Sequence, residues 1–80
     1  MRVPRDLSGQ ELIRHLAKLG YGVTRQTGSH VRLTSLEVGE HHVTVPNHDP
    51  LRIGTLAAIL SGIAAHRGVS RDELLERLLG

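Results

Sequence analysis

Val23-Thr24-Arg25-Gln26-Thr27-Gly28-Ser29-His30-Val31-Arg32-Leu33-Thr34 reads as two short runs of strand character separated by a turn. Valine and threonine favour extended backbone, and Thr27-Gly28-Ser29 supplies the reversal. The first strand is expected over Tyr21–Gln26 and the second over His30–Thr34. Successive side chains on a strand point to opposite faces. Val31 and Leu33 therefore turn inward, while His30, Arg32 and Thr34 turn outward. With Val23 inward, Thr24 and Gln26 join the outward set.

Further along, His41 to Val45 is a third strand, stopped by Pro46. Val43 and Val45 point inward, His42 and Thr44 outward. The outward face then offers Gln26, His30, Arg32, His42 and Thr44, with no apolar residue among them. A meander of this kind must cover its apolar face with other elements.

Those elements flank it. Ser8-Gly9-Gln10-Glu11 is a capping box, in which Ser8 and Glu11 satisfy each other's free backbone N–H groups. Leu12, Ile13, Leu16 and Leu19 follow at helical spacing, and Gly20 closes a first helix of about Gly9 to Leu19. Pro46-Asn47-His48-Asp49-Pro50 is a loop. A second helix starts near Gly54-Thr55, presents Ile53, Leu56, Ile59, Leu60 and Ile63, and ends at Gly68. Gly62 in its middle permits close packing or marks a bend. Ser70-Arg71-Asp72-Glu73 is a second capping box, opening a short helix with Leu74, Leu75, Leu78 and Leu79, packed at the rim or used for association. The expected fold class is α+β: a three-stranded antiparallel sheet with helices on one face, in the order α-β-β-β-α plus a short C-terminal helix, as a single domain over residues 1–80.

Size and composition narrow the function. A domain of 80 residues has a modest core and no room for a cofactor domain or a deep cavity. A shallow surface site suits a large substrate. Tyr21 is the sole aromatic residue, which argues against base-stacking platforms. Cysteine is absent, so thiol nucleophiles and cysteine-bound zinc are excluded. With no secretion signal and no apolar run long enough for a bilayer, a cytoplasmic location away from membranes is expected. Nine of the ten cations are arginine. Residues 1–34 hold six cations against Asp6 and Glu11, so positive charge gathers near Gly28-Ser29-His30. That is a nucleic-acid footprint or an ordinary solvated surface.

Histidine titrates near neutral pH and serves as general acid or base. RNA carries its own nucleophile, the 2′-hydroxyl, so its cleavage requires a base, cations for the phosphate, and positioning. His30 fits the base, Arg25 or Arg32 the phosphate clamp, and the Gly28 and Ser29 N–H groups further donors. Spacing alone also fits a plain hairpin turn followed by an exposed histidine. His42 shares the outward face and is a candidate acid/base partner for His30. His41, His42 and His48 do not read as a metal site, because His41 and His42 face opposite ways and no acidic residue or cysteine stands at ligand spacing. His15 and His66 lie on helix flanks, where solvent is expected. Tyr21 is expected in core or rim packing.

Arg25-Gln26-Thr27-Gly28-Ser29-His30, then Val43-Thr44-Val45-Pro46, then Gly54-Thr55-Leu56 with Ile59-Leu60, resembles the HicA family of toxins, the small mRNA interferases of bacterial and archaeal toxin–antitoxin pairs. The resemblance runs from about Ser8 to the end of the second helix. It implies a double-stranded-RNA-binding-domain-like fold and endoribonuclease activity on mRNA without a metal or other cofactor. It implies that His30 is catalytic, that Gly28 shapes the turn, and that a HicB-type antitoxin binds the toxin and masks the site. Arg25, Gly28, Ser29, Arg32 and His42 are the expected RNA-binding residues. Val31 stands where many members carry a second histidine. Two other readings follow from the residues: a non-catalytic double-stranded-RNA-binding module, and a domain that only docks a protein partner.

Overall fold

The structure, a computed structural model, describes residues 3–80. The first helix, α1 (Gly9–Leu16), begins at the anticipated box: Ser8 Oγ accepts from the Glu11 N–H at 3.1 Å, and the Glu11 carboxylate accepts from the Ser8 N–H at 3.0 Å. Its last turn tightens into a 3₁₀ segment, Ala17–Leu19, before Gly20. Three strands follow, β1 (Gly22–Thr27), β2 (His30–Ser35) and β3 (His41–Pro46), then α2 (Ile53–Arg67) and α3 (Arg71–Leu79). The sheet is antiparallel in the order β1-β2-β3, so the expected α-β-β-β-α order with a short terminal helix is the observed one.

Strand alternation sets the layers. Val31, Leu33 and Val45 are buried beneath the helices together with Leu12, Leu16, Leu56, Leu60 and Ile63. The helix stripe of α2 is narrower than its sequence pattern, because Ile53 at its start stays 45% exposed. Gly62 does not serve a close approach: α2 runs through it, and a side chain there would meet open space. At α3 the second box forms by half. Ser70 Oγ accepts from the Glu73 N–H at 3.1 Å, but the Glu73 carboxylate takes the Ser70 hydroxyl instead of the backbone. Leu74, Leu75 and Leu78 are fully buried against the same core, so α3 is a structural layer of the domain and not a free association element.

Strand β1 departs from the expected alternation. Its ladder with β2 pairs Val23 with Leu33, then Arg25 with Arg32, Gln26 with Val31 and Thr27 with His30, with the register shifting between Val23 and Arg25. That shift is a β-bulge at Thr24, one extra residue on the edge strand. Facing residues share a side of the sheet. The bulge therefore places Arg25 on the outward side with Arg32 and moves Gln26 to the helix side. Val23 lies on the helix side as expected but is 55% exposed, since the helices pack chiefly against β3 and leave the β1 edge uncovered.

Candidate active site

The link between β1 and β2 is the two-residue turn Gly28-Ser29, closed by the Thr27–His30 pair. Gly28 has φ of 58°, and no residue other than glycine has positive φ among those described. A glycine with positive φ followed by a residue with negative φ is the pattern of a type II′ turn, whose twist matches that of the flanking strands. Space above Gly28 is open, with no atom within 4 Å of where a Cβ would stand. A large substrate can therefore approach this turn closely.

His30 is the first residue of β2, exposed on the outward face, and pairs with Pro46 on its other side. No hydrogen bond engages its imidazole among the described residues, so both ring nitrogens are open to a substrate. Arg32 and Arg25 stand on the same face through the bulge, both exposed and without an ion pair among the described residues. The structure thus brings His30, Arg25, Arg32, Gly28 and Ser29 to one end of the sheet.

Asn47, Gln10 and Gly9, which the sequence did not mark for such a role, hold this end in place. The Asn47 N–H donates to the Ser29 carbonyl at 2.6 Å, and Asn47 Oδ1 accepts from Gln10 Nε2 at 3.1 Å. The turn is thereby tied to the first turn of α1. Gly9 completes the junction: its N–H donates to the His48 carbonyl at 2.9 Å, and a Cβ there would collide with the Pro46 carbonyl oxygen. Only the Asn in a proline-bounded loop hints at such a clasp in the sequence, and its partner lies 37 residues away.

His42 is elsewhere. It shares the outward face but pairs with Thr34, four residues along β2 from His30, about 13 Å at the rise of a strand. It is also occupied: Nδ1 lies 2.7 Å from Thr34 Oγ1 and Nε2 2.8 Å from Glu40 Oε2, and Thr34 Oγ1 continues to Thr24 Oγ1 at 3.0 Å. Such a separation exceeds the reach needed for His42 to exchange a proton at the atom that His30 serves. Gln26, expected on this face, is removed from it by the bulge.

A second polar cluster lies under the other end of the sheet. Tyr21 is buried, and its hydroxyl lies 2.7 Å from His41 Nδ1. The His41 ring stacks on His66 with centroids 4.2 Å apart, so His66 is a packed residue rather than a solvated one. Arg67 reaches the Leu19 carbonyl at 2.6 Å and Glu37 at 3.3 Å, with its guanidinium carbon 5.6 Å from the Tyr21 ring centre. Burial pushes the Tyr21 phenol up and the His41 imidazole down from their ordinary values. This cluster anchors α2 to the sheet and does not open onto the His30 end.

Among the described residues, no group of three or more His, Cys, Asp or Glu side chains is placed to hold a metal ion, and no helix is long and apolar enough to cross a membrane. No curated protein and no solved structure matches the chain. The family model described as the HicA toxin of bacterial toxin–antitoxin systems matches residues 9–63, a span that starts at the first residue of α1, includes the whole sheet with the Gly28-Ser29-His30 turn, and ends in the third turn of α2. The chain belongs to the HicA family, the toxins of bacterial toxin–antitoxin pairs.

Proposed function

We propose that this toxin is a metal-independent endoribonuclease that cleaves mRNA in the cytoplasm and is held inactive by a cognate HicB-type antitoxin. The observation that carries the reading is the shared placement, beside an open glycine turn, of His30 and two arginines, Arg25 and Arg32, that have no side-chain partner among the described residues.

In this mechanism an imidazole nitrogen of His30 takes the proton of an RNA 2′-hydroxyl. The resulting oxygen attacks the adjacent phosphorus, and the bond to the 5′-oxygen of the next nucleotide breaks. Arg25 and Arg32 face the phosphate as its negative charge spreads over the non-bridging oxygens. Gly28 and Ser29 hold the substrate backbone against the turn, where Gly28 offers no side chain to obstruct it. A proton must reach the leaving 5′-oxygen. His42 is too distant for that step and serves as an RNA contact farther along the face. The products are a 2′,3′-cyclic phosphate, or its opened form, and a 5′-hydroxyl.

The test is expression of the wild type and of His30→Ala in growing cells, with purified protein incubated with RNA in EDTA alongside. Growth arrest and cleavage are expected for the wild type alone. Equal arrest and cutting by both would remove His30 from the mechanism. Intact RNA with retained binding by the wild type would leave a binding module.

A further inference from the structure

The sheet end farthest from the Gly28-Ser29 turn differs in character from the surroundings of His30. An open groove of about 520 Å³ lies between the start of β1 and the connection after β2, lined by Gly22, Val23, Thr24, Thr34, Leu36 and Glu37. Val23 is 55% and Leu36 72% exposed, and Val38 in the same connection is 51% exposed. Aliphatic surface gathered in this way marks an interaction site in a small soluble domain. The adjoining carboxylates of Glu37 and Glu40 are half or more exposed, each with one oxygen engaged, by Arg67 and by His42.

We propose that this groove anchors the antitoxin protein paired with this toxin: a segment of that partner sets aliphatic side chains between Val23 and Leu36 and turns a lysine or arginine toward Glu37 and Glu40. The proposal rests on membership of a toxin–antitoxin family and on the reading that this partner masks His30.

Three observations favour a protein over RNA and place it where it can cover His30. The groove is lined by no cation and no aromatic ring, which are what a nucleic-acid strand requires, and two carboxylates beside it repel phosphate. Apart from the small ring of Pro46 beside His30, the outward face around His30 carries polar and charged side chains, yet a stable protein interface takes most of its energy from a desolvated apolar centre. A protein that masks His30 therefore needs an anchor off that face. The groove adjoins it directly, because Thr24 and Thr34 belong to both. A standard interface covers about 800 Å² of each partner, roughly a sixth of this chain's 4725 Å². A partner of that size seated in the groove spreads over Thr34 and reaches His30, about 13 Å farther along β2.

The bulge at Thr24 also bears on the mode of docking. It interrupts the regular ladder of the exposed β1 edge, a feature that discourages addition of another strand, including one from a second copy. Recognition then falls to side chains entering the groove.

The experiment measures the affinity of the full chain for the purified protein encoded by the reading frame adjoining its own. Leu36→Asp places a charge in the groove at a position outside any strand. Val23→Thr keeps the β-branch and removes apolar surface. Leu36→Asp is expected to weaken binding about tenfold or more and Val23→Thr by less, with melting temperature and RNA affinity unchanged, and the Leu36→Asp toxin escapes neutralisation in cells. Wild-type affinity in both variants would overturn the groove as anchor. So would loss of RNA affinity in place of antitoxin affinity, or loss only of a homodimer seen by light scattering. A wild-type chain that binds no such protein would overturn the partner and the groove together.

Discussion

Arg25 stands directly opposite Arg32 across the β1–β2 ladder, so two guanidinium groups share the face that carries His30. Like charges at facing positions cost about 0.2–1 kcal/mol, and among the described residues neither has a carboxylate partner. A polyanion laid across the face would relieve that repulsion. Arg25→Ala or Arg32→Ala should leave stability unchanged or raise it by up to about 1 kcal/mol. Each should also weaken RNA binding and reduce the slope of log affinity against log salt by about 0.7 for a single strand. Urea melts with titrations at several salt concentrations check both. A lower stability with an unaltered slope would make the pair structural.

Gly28 offers a cleaner separation of backbone from contact. Its φ of 58° is costly for a residue with a Cβ, yet a Cβ there meets nothing. Gly28→Ala should therefore cost about 1–2 kcal/mol through backbone conformation alone, and Gly28→Asn less, since asparagine tolerates this region better. RNA cleavage should fall further than the stability loss accounts for, because the turn sets the place of Ser29 and His30. Cleavage rates measured well below the melting temperature of each variant decide it. Full activity in Gly28→Ala would show that the turn only links two strands.

Much of this architecture is legible in the chain because it is local. The Ser8 box, the stripe from Leu12 to Leu19, and the parity of Val31, Leu33, Val43 and Val45 depend on neighbours a few residues away. The bulge at Thr24 is not local. Whether one residue of β1 is left unpaired depends on the whole ladder with β2, and one unpaired residue reverses every side chain beyond it. That is why Gln26 was expected outward and Arg25's place on the His30 face was not deduced from alternation. The Asn47 clasp and the contact of Arg67 with Leu19 join segments 18 and 48 residues apart. No periodicity encodes where those meet. His30 was legible as a candidate because turn and strand parity together decide its exposure.

Acid should destabilise the fold in two separable steps. Burial, then His66, His42 and Arg67, holds the His41 imidazole below its ordinary 6.5. Tyr21, His66, Arg67 and nearby Glu37 are the titratable or charged groups around it. The unfolded chain then takes up this proton more readily than the folded one. Stability is intact above 6.5 and declines as pH falls from there through the lower folded value. Glu11 acts lower down. The hydrogen bonds from the Ser8 backbone and hydroxyl hold its carboxyl below 4.5, so its contribution is present above that pH and lost beneath it. Urea midpoints against pH should show both steps. His41→Gln, which keeps a group for the Tyr21 hydroxyl, should flatten the upper one, and Glu11→Gln the lower. An upper step that survives in His41→Gln would assign it to another group.

Arg67 is the charged residue on which the rear of the sheet depends. Its side chain is only 7% exposed, and it joins the end of the 3₁₀ segment, Ser35 and Glu37 through one guanidinium nitrogen. Arg67→Ala removes a charge-assisted bond to the Leu19 carbonyl and should cost about 1.5–3 kcal/mol, a fall in Tm on the order of 10 °C for a domain of this size. Arg67→Lys should recover little, because an ammonium on a shorter, flexible stem lacks the planar group that lies over Tyr21 while one of its nitrogens reaches these acceptors. RNA binding at the His30 end should be unaffected in folded protein. Thermal melts of the three proteins give the answer: a Lys variant as stable as the wild type would reduce the requirement to charge alone.

The helix beyond the family match should be indispensable. The matched span ends at residue 63, yet Leu74, Leu75 and Leu78 of α3 are buried to within 1% of completeness. Lys18 Nζ also donates to the Leu78 carbonyl at 2.7 Å, tying the 3₁₀ segment after α1 to the last turn of α3. Burying one leucine contributes about 1.5–3 kcal/mol, so these three contribute about 5–9 kcal/mol. A domain of this length has a total stability of about 4–12 kcal/mol. Removing α3 therefore takes away about as much as the fold has, and uncovers the faces of α1 and α2 that pack against it. A chain ending at Val69 is expected to lose its cooperative melt and its dispersed amide spectrum. Leu75→Ala, a milder version of the same lesion, should cost about 2–5 kcal/mol and stay folded at low temperature. A truncated chain that melts cooperatively near the wild-type temperature would make α3 an appendage and confine the core to the sheet, α1 and α2.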